Sequence, residues 1–383
     1  MDDSPKDPKI AGLPKRFKNK ATADFREYGL YSSYTPSQMG LMKLVFVFTF
    51  LIFIQNIDAS PLFEDSFDQP LVVEIKTDLY KIKNKRHEYD DSTENYINGR
   101  FQFRDRAFDI KLQTRGYSRL ADCPFPPLMI YFDKSRVKNS LLKYNHKLKM
   151  VTHCQEDKLH LLFREHLVYK IYNLITLYSF QVRLLEVKYI DIDRKEDPIE
   201  TYALFIESSR SIKKRLKLEK LTSDEDFNLK THRNISENWL NTSQLKLQEA
   251  FQHLIRNNDW VIFHSEPART LSLANIKFFY NEKEGFPFPY DFDLAGVVKW
   301  DDEGYKNRYD IENLCKKFEI RKAFMKILSH KNEYFQLLDR DPFLSLRYKN
   351  KFAEYLNQFK SVDDFCVKTN FDSKFFSRAA TSP

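Results

Sequence analysis

The sequence predicts an α+β chain of two unequal lobes. Its first half alternates as strands and hairpins, a long uninterrupted helix stands near its middle, and its last stretch carries helical spacing. The first strand is 70–76, Pro-Leu-Val-Val-Glu-Ile-Lys, and the pattern returns at 107–114, Ala-Phe-Asp-Ile-Lys-Leu-Gln-Thr. A turn at 115–119 leads through Cys123 and a proline-rich stretch to a strand at 128–132. The next strand, 147–152, sets Leu148 and Met150 on one face and Lys147 and Lys149 on the other. This opening reads as antiparallel and hairpin-rich.

Residues 158–178 follow, with Leu162, Leu167, Ile171, Leu174 and Ile175 at helical spacing and no Gly or Pro to interrupt them. Strands at 182–192 and 200–207 flank a polar turn at 193–198 and make a hairpin. The charged stretch 208–241 reads as loop plus surface helix, and 243–257 as helix. A second hairpin pairs 275–280 with 286–290 across a turn at 281–285. From 310 onward Ala323, Ile327, Tyr334, Leu338, Phe352 and Tyr355 mark helices.

With 34 Phe and 21 Tyr against only 8 Gly, the chain is globular, and the part from Ser60 on is long enough for one two-lobed domain or two small ones. The net charge of +8 comes from scattered lysines with no arginine-rich or RNP-like run, so no nucleic-acid partner is expected. The charge reads instead as solvated surface with affinity for an anionic envelope or an acidic substrate.

The run Leu44–Ile54 is uncharged, follows Met42 and Lys43, and ends in Ala59, Ser60 and Pro61. That is the pattern of a signal peptide or membrane anchor, although the run is shorter than the ~20 residues of a comfortable membrane span. An extracytoplasmic location is expected, whether periplasmic, at the cell envelope or secreted, with 44–54 as the candidate membrane tether. The chain thus divides into a polar basic extension (1–41), the export segment (42–59), a β-rich lobe with one long helix (60–207) and a second lobe carrying the candidate site (208–383). The four cysteines lack the CxxC spacing of a zinc or redox site. Cys123 and Cys154 lie beside strands expected to be neighbours; a bridge between them and two independent buried thiols both remain open.

The candidate chemistry gathers at 256–296. In a hairpin, the residue before the first strand and the residue after the second lie side by side, so Asn275 and Asp291 meet at one end. An amide oxygen with one or two carboxylates suits a hard cation that holds phosphate oxygens. Asp259, at the end of the preceding helix, stands as a base or as an orienter of a hydroxyl. Each residue alone has an ordinary reading as a cap or turn. Asp291 and Asp293, however, flank Phe292 in an apolar context where an unpaired carboxylate is costly. A metal hydrolase is disfavoured, because His153, His160, His166, His253 and His264 show no HExxH-type spacing.

The order Arg-Gly-x-Ser, a strand lysine, a long helix, Ala-Leu-Phe-Ile-Glu, Asn-x-Asp-Trp, Asn and Tyr-Asp-Phe-Asp resembles the spore coat protein H (CotH) kinase-like family over roughly residues 70–300. The resemblance implies a two-lobed protein-kinase-like fold, with an antiparallel-sheet N-lobe and a mainly helical C-lobe. It makes Asp259 the catalytic aspartate, Asn275 and Asp291 metal ligands, and Asp293 a second carboxylate ligand. Lys149 is the phosphate-pairing lysine with Glu165 as its partner, Arg115 and Ser118 lie in a phosphate-covering turn, and Glu207 lies near the hinge. Mg2+ and ATP are the implied cofactors, and a protein Ser or Thr at the cell envelope is the implied acceptor. The alternative is a catalytically inactive, envelope-associated binding or structural protein. Two departures stand out: sixteen positions separate Asp259 from Asn275, where ordinary kinases have five, and Gly116 is the single glycine where a phosphate loop has several. A kinase outside the cytoplasm also meets little ATP unless it acts in transit or inside a secretory compartment.

Overall fold

Seven strands that alternate in direction around a ring cannot close without one parallel pair, and that parity organises the first part of the molecule. A computed structural model describes residues 60–63, 69–84, 96–221, 239–260, 262, 275–300 and 318–368. These all belong to a unit running from Asn56 to Pro383. The export segment 44–54 lies outside the described residues.

Strands β1 (Leu71–Thr77), β2 (Ile97–Phe103), β3 (Arg106–Thr114), β4 (Leu128–Phe132), β5 (Lys147–Val151), β6 (Val182–Asp191) and β7 (Ile199–Ile206) form a closed barrel in the order β1-β2-β3-β4-β5-β7-β6. Every neighbouring pair is antiparallel except β1 with β6, which run parallel from Leu71 opposite Leu185 to Thr77 opposite Asp191. This corrects the expected two-lobed kinase-like fold with an antiparallel-sheet N-lobe. The sheet is mixed and closed, so it has no free edges.

Alternation along each strand fills the interior. Val73 and Ile75 from β1, Phe108, Ile110 and Leu112 from β3, and Leu148 and Met150 from β5 point inward with Leu185, Val187 and Tyr189 from β6. The other faces of β6 and β7 carry Val182, Leu184, Leu204 and Ile206 outward onto helix α4 (Leu159–Ile175). Three short helices precede it: α1 (Leu79–Asn84), α2 (Tyr117–Asp122) and α3 (Lys134–Val137). The middle of helix α4 is buried on every side, so Arg164, Glu165 and His166 are nearly as inaccessible as Leu162 and Leu167. Around it pack helices α5 (Ser209–Leu216), α6 (Thr242–Leu254), α7 (Phe318–Ser329), α8 (Lys331–Arg340), α9 (Leu346–Asn357) and α10 (Val362–Lys368). The largest apolar cluster runs unbroken from the outer faces of β6 and β7 through α4 to α10. The barrel interior forms a separate cluster of its own, and the helices pack on the outer faces of β6 and β7.

A second, three-stranded sheet joins β8 (Glu219–Lys220) to the hairpin of β9 (Ile276–Tyr280) and β10 (Gly285–Pro289). Trp239 covers this hairpin so closely that a Cβ on Gly285 would lie 2.3 Å from its ring. Cys123 and Cys154 are joined by a disulfide, and Cys366 is also disulfide-bonded. Among the described residues, no helix is long and apolar enough to cross a membrane.

Candidate functional site

The site is assembled at the open end of the β9–β10 hairpin. The backbone N–H of Tyr290 donates to the Asn275 carbonyl at 3.0 Å, which closes the ladder with Asn275 beside Asp291. Both residues hold left-handed backbone, with φ of 53° and 64°. Asn and Asp tolerate that region better than other side chains. The strained pair is locked from outside: the Asp291 N–H donates to the Tyr169 hydroxyl at 2.8 Å, and Tyr169 packs edge-on against Phe292. Helix α4 thereby fixes the direction in which Asp291 projects.

Asp259 arrives on the loop after α6. Arg256 ends that helix at φ 57°, and the buried Asn257 then organises the turn. Its side-chain oxygen accepts from the Asp259 N–H at 3.0 Å, and its carbonyl accepts from the Trp260 ring N–H at 3.1 Å. The Asn275 amide nitrogen donates to both the carbonyl and Oδ2 of Asp259, each at 2.7 Å. The long separation in sequence is thus bridged directly, and Asp259 itself is an exposed residue.

A glycine with φ of 92°, Gly116, turns the chain from β3 into α2 and delivers Arg119 to the carboxylates. Its Nη2 lies 2.6 Å from Asp293, 3.4 Å from Asp291 and 3.7 Å from Glu165, and its Nε donates to Asp293 at 3.1 Å. Burial raises the Asp291 carboxyl above its ordinary value, the Asp293 charge adds to this, and Arg119, Arg115 and Lys149 oppose it. Burial pushes the Glu165 carboxyl up to about 8 against the pull of Arg119. Glu165 Oε1 has no hydrogen-bond partner among the described residues.

Cations gather around Tyr290, the neighbour of Asp291. Lys149 and Lys277 lie over its ring, with Nζ 4.6 and 5.2 Å from the centroid. Burial holds the Lys149 ammonium well below its usual range, reinforced by the charges of Arg115 and Lys277. Burial, with Lys220 and Arg115 nearby, lowers Lys277 to about 8. Arg115 is itself lowered by burial, while Asp291 pulls it upward.

The structure therefore brings together Asp259, Asn275, Asp291, Asp293, Arg115 and Lys149. Two predicted residues have partners other than the expected ones. Glu165 pairs with Arg119, and no ion pair joins it to Lys149 among the described residues. Glu207 is buried and spent on Arg215 at 2.8 Å, the Ser211 hydroxyl at 2.8 Å and the Gln181 N–H at 3.1 Å. The side chain of Ser118 lies outside the described residues. Sequence reasoning did not single out Arg119, Tyr169, Lys277 or Tyr290; the trace left in the sequence was a second arginine four positions after Arg115, one helical turn on.

The donor set can be tested against the implied metal. Among the described residues, no group of three or more His, Cys, Asp or Glu side chains is arranged to hold an ion. Arg119 occupies Asp291 Oδ1 and Asp293 Oδ2. Among the described residues, Asp291 Oδ2, Asp293 Oδ1 and Asn275 Oδ1 have no hydrogen-bond or ion-pair partner. One or two carboxylates completed by phosphate oxygens is how Mg2+ is commonly held, so the residues fit.

No protein-family model matches the chain. No curated protein matches it either. Among solved structures it is similar to the Helicobacter pylori proinflammatory kinase CtkA, at 13% identity and a TM-score of 0.36, over 64% of this chain and 91% of that one.

Proposed function

We propose that the chain is a phosphotransferase that moves the terminal phosphate of ATP to a protein Ser or Thr hydroxyl outside the cytoplasm. One observation carries the reading: a carboxylate–amide set (Asp259, Asn275, Asp291 and Asp293) adjoins a cation set (Arg115, Lys149 and Lys277) gathered near Tyr290, the neighbour of Asp291. Phosphoryl transfer needs both, because positioning and charge neutralisation supply most of its catalysis. Lys149, Lys277 and Arg115 attract the phosphate oxygens. Asp259 Oδ1 accepts the proton of the acceptor hydroxyl as its oxygen bonds to phosphorus and the bond to the leaving diphosphate breaks. Asn275 holds Asp259 in place through the opposite oxygen. Mg2+, held by Asp291, Asp293 and Asn275, would supply neutralisation of the phosphate charge. The motif order that resembles the CotH family supports the same chemistry.

Export is supported by the uncharged run at 44–54 and by the disulfide state of all three described cysteines, which oxidising compartments maintain. A second reading, an inactive envelope-associated binding protein, is favoured by Arg119, which already neutralises Asp291 and Asp293.

The test is transfer of labelled phosphate from Mg-ATP to a protein acceptor, run beside calorimetric titration of Mg-ATP. Transfer that falls at least ~100-fold in Asp259→Ala supports the phosphotransferase. Binding without transfer supports the second reading. If wild type and Asp291→Ala are alike in failing to bind or transfer, the proposal is wrong.

A further inference from the structure

Arg119 sits on the two carboxylates that a divalent cation would need. It spans Asp293 with Nη2 at 2.6 Å and Nε at 3.1 Å, and the same Nη2 reaches Asp291 at 3.4 Å. A guanidinium and a dication crowded onto this pair would repel each other strongly where water is scarce. Access to the cluster is graded. The side chains of Asp291 and Asp293 are 41% and 28% exposed, that of Arg119 is 20%, and that of Glu165 is 3%. Solvent therefore reaches the aspartates and is shut out from Glu165.

Glu165 has unused capacity for the guanidinium. Its Oε2 lies 3.7 Å from Nη2, too far for a hydrogen bond, and its Oε1 has no hydrogen-bond partner among the described residues. A buried acceptor left in that state is costly until a donor completes it. Closing 3.7 Å to an ordinary hydrogen bond of about 2.9 Å takes less than about 1 Å of side-chain movement. The backbone need not follow. The Arg119 carbonyl accepts from the Cys123 N–H at 3.0 Å, and the disulfide ties Cys123 to Cys154.

We propose that Arg119 is a place-holding cation, which keeps Asp291 and Asp293 together in the metal-free chain and withdraws onto Glu165 when a divalent cation takes those carboxylates. Glu165 is then a positioning residue, the second seat of the guanidinium. The inference rests on the reading of Asp291 and Asp293 as metal-holding carboxylates. It also has a sign that a static role lacks: a group that only orients metal ligands raises metal affinity, whereas a place-holder lowers it.

The experiment titrates the full chain with Mn2+ alone, without nucleotide, and follows the loss of the free-ion electron paramagnetic resonance signal. Arg119→Met should bind Mn2+ at least tenfold more tightly than wild type. Glu165→Met, which removes the second seat, should weaken binding at least threefold in wild type and leave it unchanged when added to Arg119→Met. Far-ultraviolet dichroism checks folding. Should Arg119→Met not fold, Arg119→Lys keeps the charge without the fork and should bind Mn2+ at least threefold more tightly than wild type. Binding that is equal, weaker or absent in the folded Arg119 variant overturns the proposal, as does an effect of Glu165→Met that persists without Arg119. Mg-ATP binding and phosphate transfer are measured separately. Transfer with unaltered Mn2+ affinity removes only the place-holder, and tightened Mn2+ binding without transfer removes only the phosphotransferase.

Discussion

Arg119 and Asp293 are joined twice through one carboxylate oxygen, from Nη2 at 2.6 Å and from Nε at 3.1 Å, while the same Nη2 faces Asp291 and Glu165. One guanidinium therefore faces three carboxyl groups. Arg119→Met would leave them facing each other. Fully buried pairs broken from one side cost about 3–5 kcal/mol; water still reaches Asp291 and Asp293, so about 2–3 kcal/mol is expected here. Urea denaturation of the variant at neutral pH measures it. An unchanged midpoint would mean that the cluster contributes no net stability.

Glu165 sets a pH dependence. Its folded-state carboxyl is raised to about 8, above the ordinary 4.5, so between those values the folded chain holds a proton that the unfolded chain has released. Its contribution is fully present below the ordinary value and is lost as pH rises through about 8. Stability should decline across that interval in wild type. Glu165→Gln, which stays neutral, should flatten the decline, as read from thermal midpoints at pH 5, 7 and 9. Parallel profiles for the two proteins would refute the assignment.

Lys277 gives the opposite end of the site its own signature. With its ammonium lowered to about 8, the cation set around Tyr290 loses a charge as pH rises through that value. Affinity for the phosphates of ATP should therefore weaken above pH 8 in wild type, by up to tenfold at pH 9.5. Lys277→Arg stays charged and should remove that inflection. Fluorescence titration with a nucleotide analogue across the range shows whether it does.

The disulfide reaches both halves of the site. Cys123 follows α2, and its N–H donates to the Arg119 carbonyl at 3.0 Å, while Cys154 lies just beyond β5, which carries Lys149. Closing a loop of 31 residues stabilises by roughly 3–4 kcal/mol on the chain-entropy account. Cys123→Ser should lower stability by that order and also weaken nucleotide binding, because α2 is no longer tied to β5. A variant with lowered stability and intact binding would show that the bridge does not position Arg119.

Strand alternation made most of the barrel legible one strand at a time, since β1, β3, β5, β6 and β7 each expose one face to an apolar interior. The missing strand was β2, and Gly99 is the reason. A Cβ there would lie 3.0 Å from the Lys76 carbonyl and 3.1 Å from the Thr77 Cβ, so the position that should have continued the apolar series of Ile97 and Phe101 is empty. Without β2 the strand count is even, and nothing demands the parallel pairing of β1 with β6, whose residues lie more than 100 positions apart. At the site, hairpin geometry alone put Asn275 beside Asp291. The role of Arg119 was hidden because 115–119 reads as a turn, whereas the Gly116 conformation starts a helix that swings the second arginine onto the carboxylates.

Asn275 gives the sharpest separation of positioning from folding. Its one amide nitrogen donates to both the carbonyl and Oδ2 of Asp259 at 2.7 Å, so it fixes the orientation of the carboxylate as well as its location. Asn275→Asp keeps a side chain that tolerates a φ of 53°, yet it puts a carboxylate against two acceptors and cannot donate. Asn275→Gly relieves the backbone instead and removes the brace. If Asp259 acts as the base, both variants should lose about 10²-fold or more in the rate of transfer, while the Gly variant stays within about 1 kcal/mol of wild-type stability. Stopped assays with labelled ATP paired with urea denaturation test the split. A Gly variant that folds and transfers phosphate at the wild-type rate would show that Asp259 needs no orientation from Asn275, and would move the search for the base to another residue.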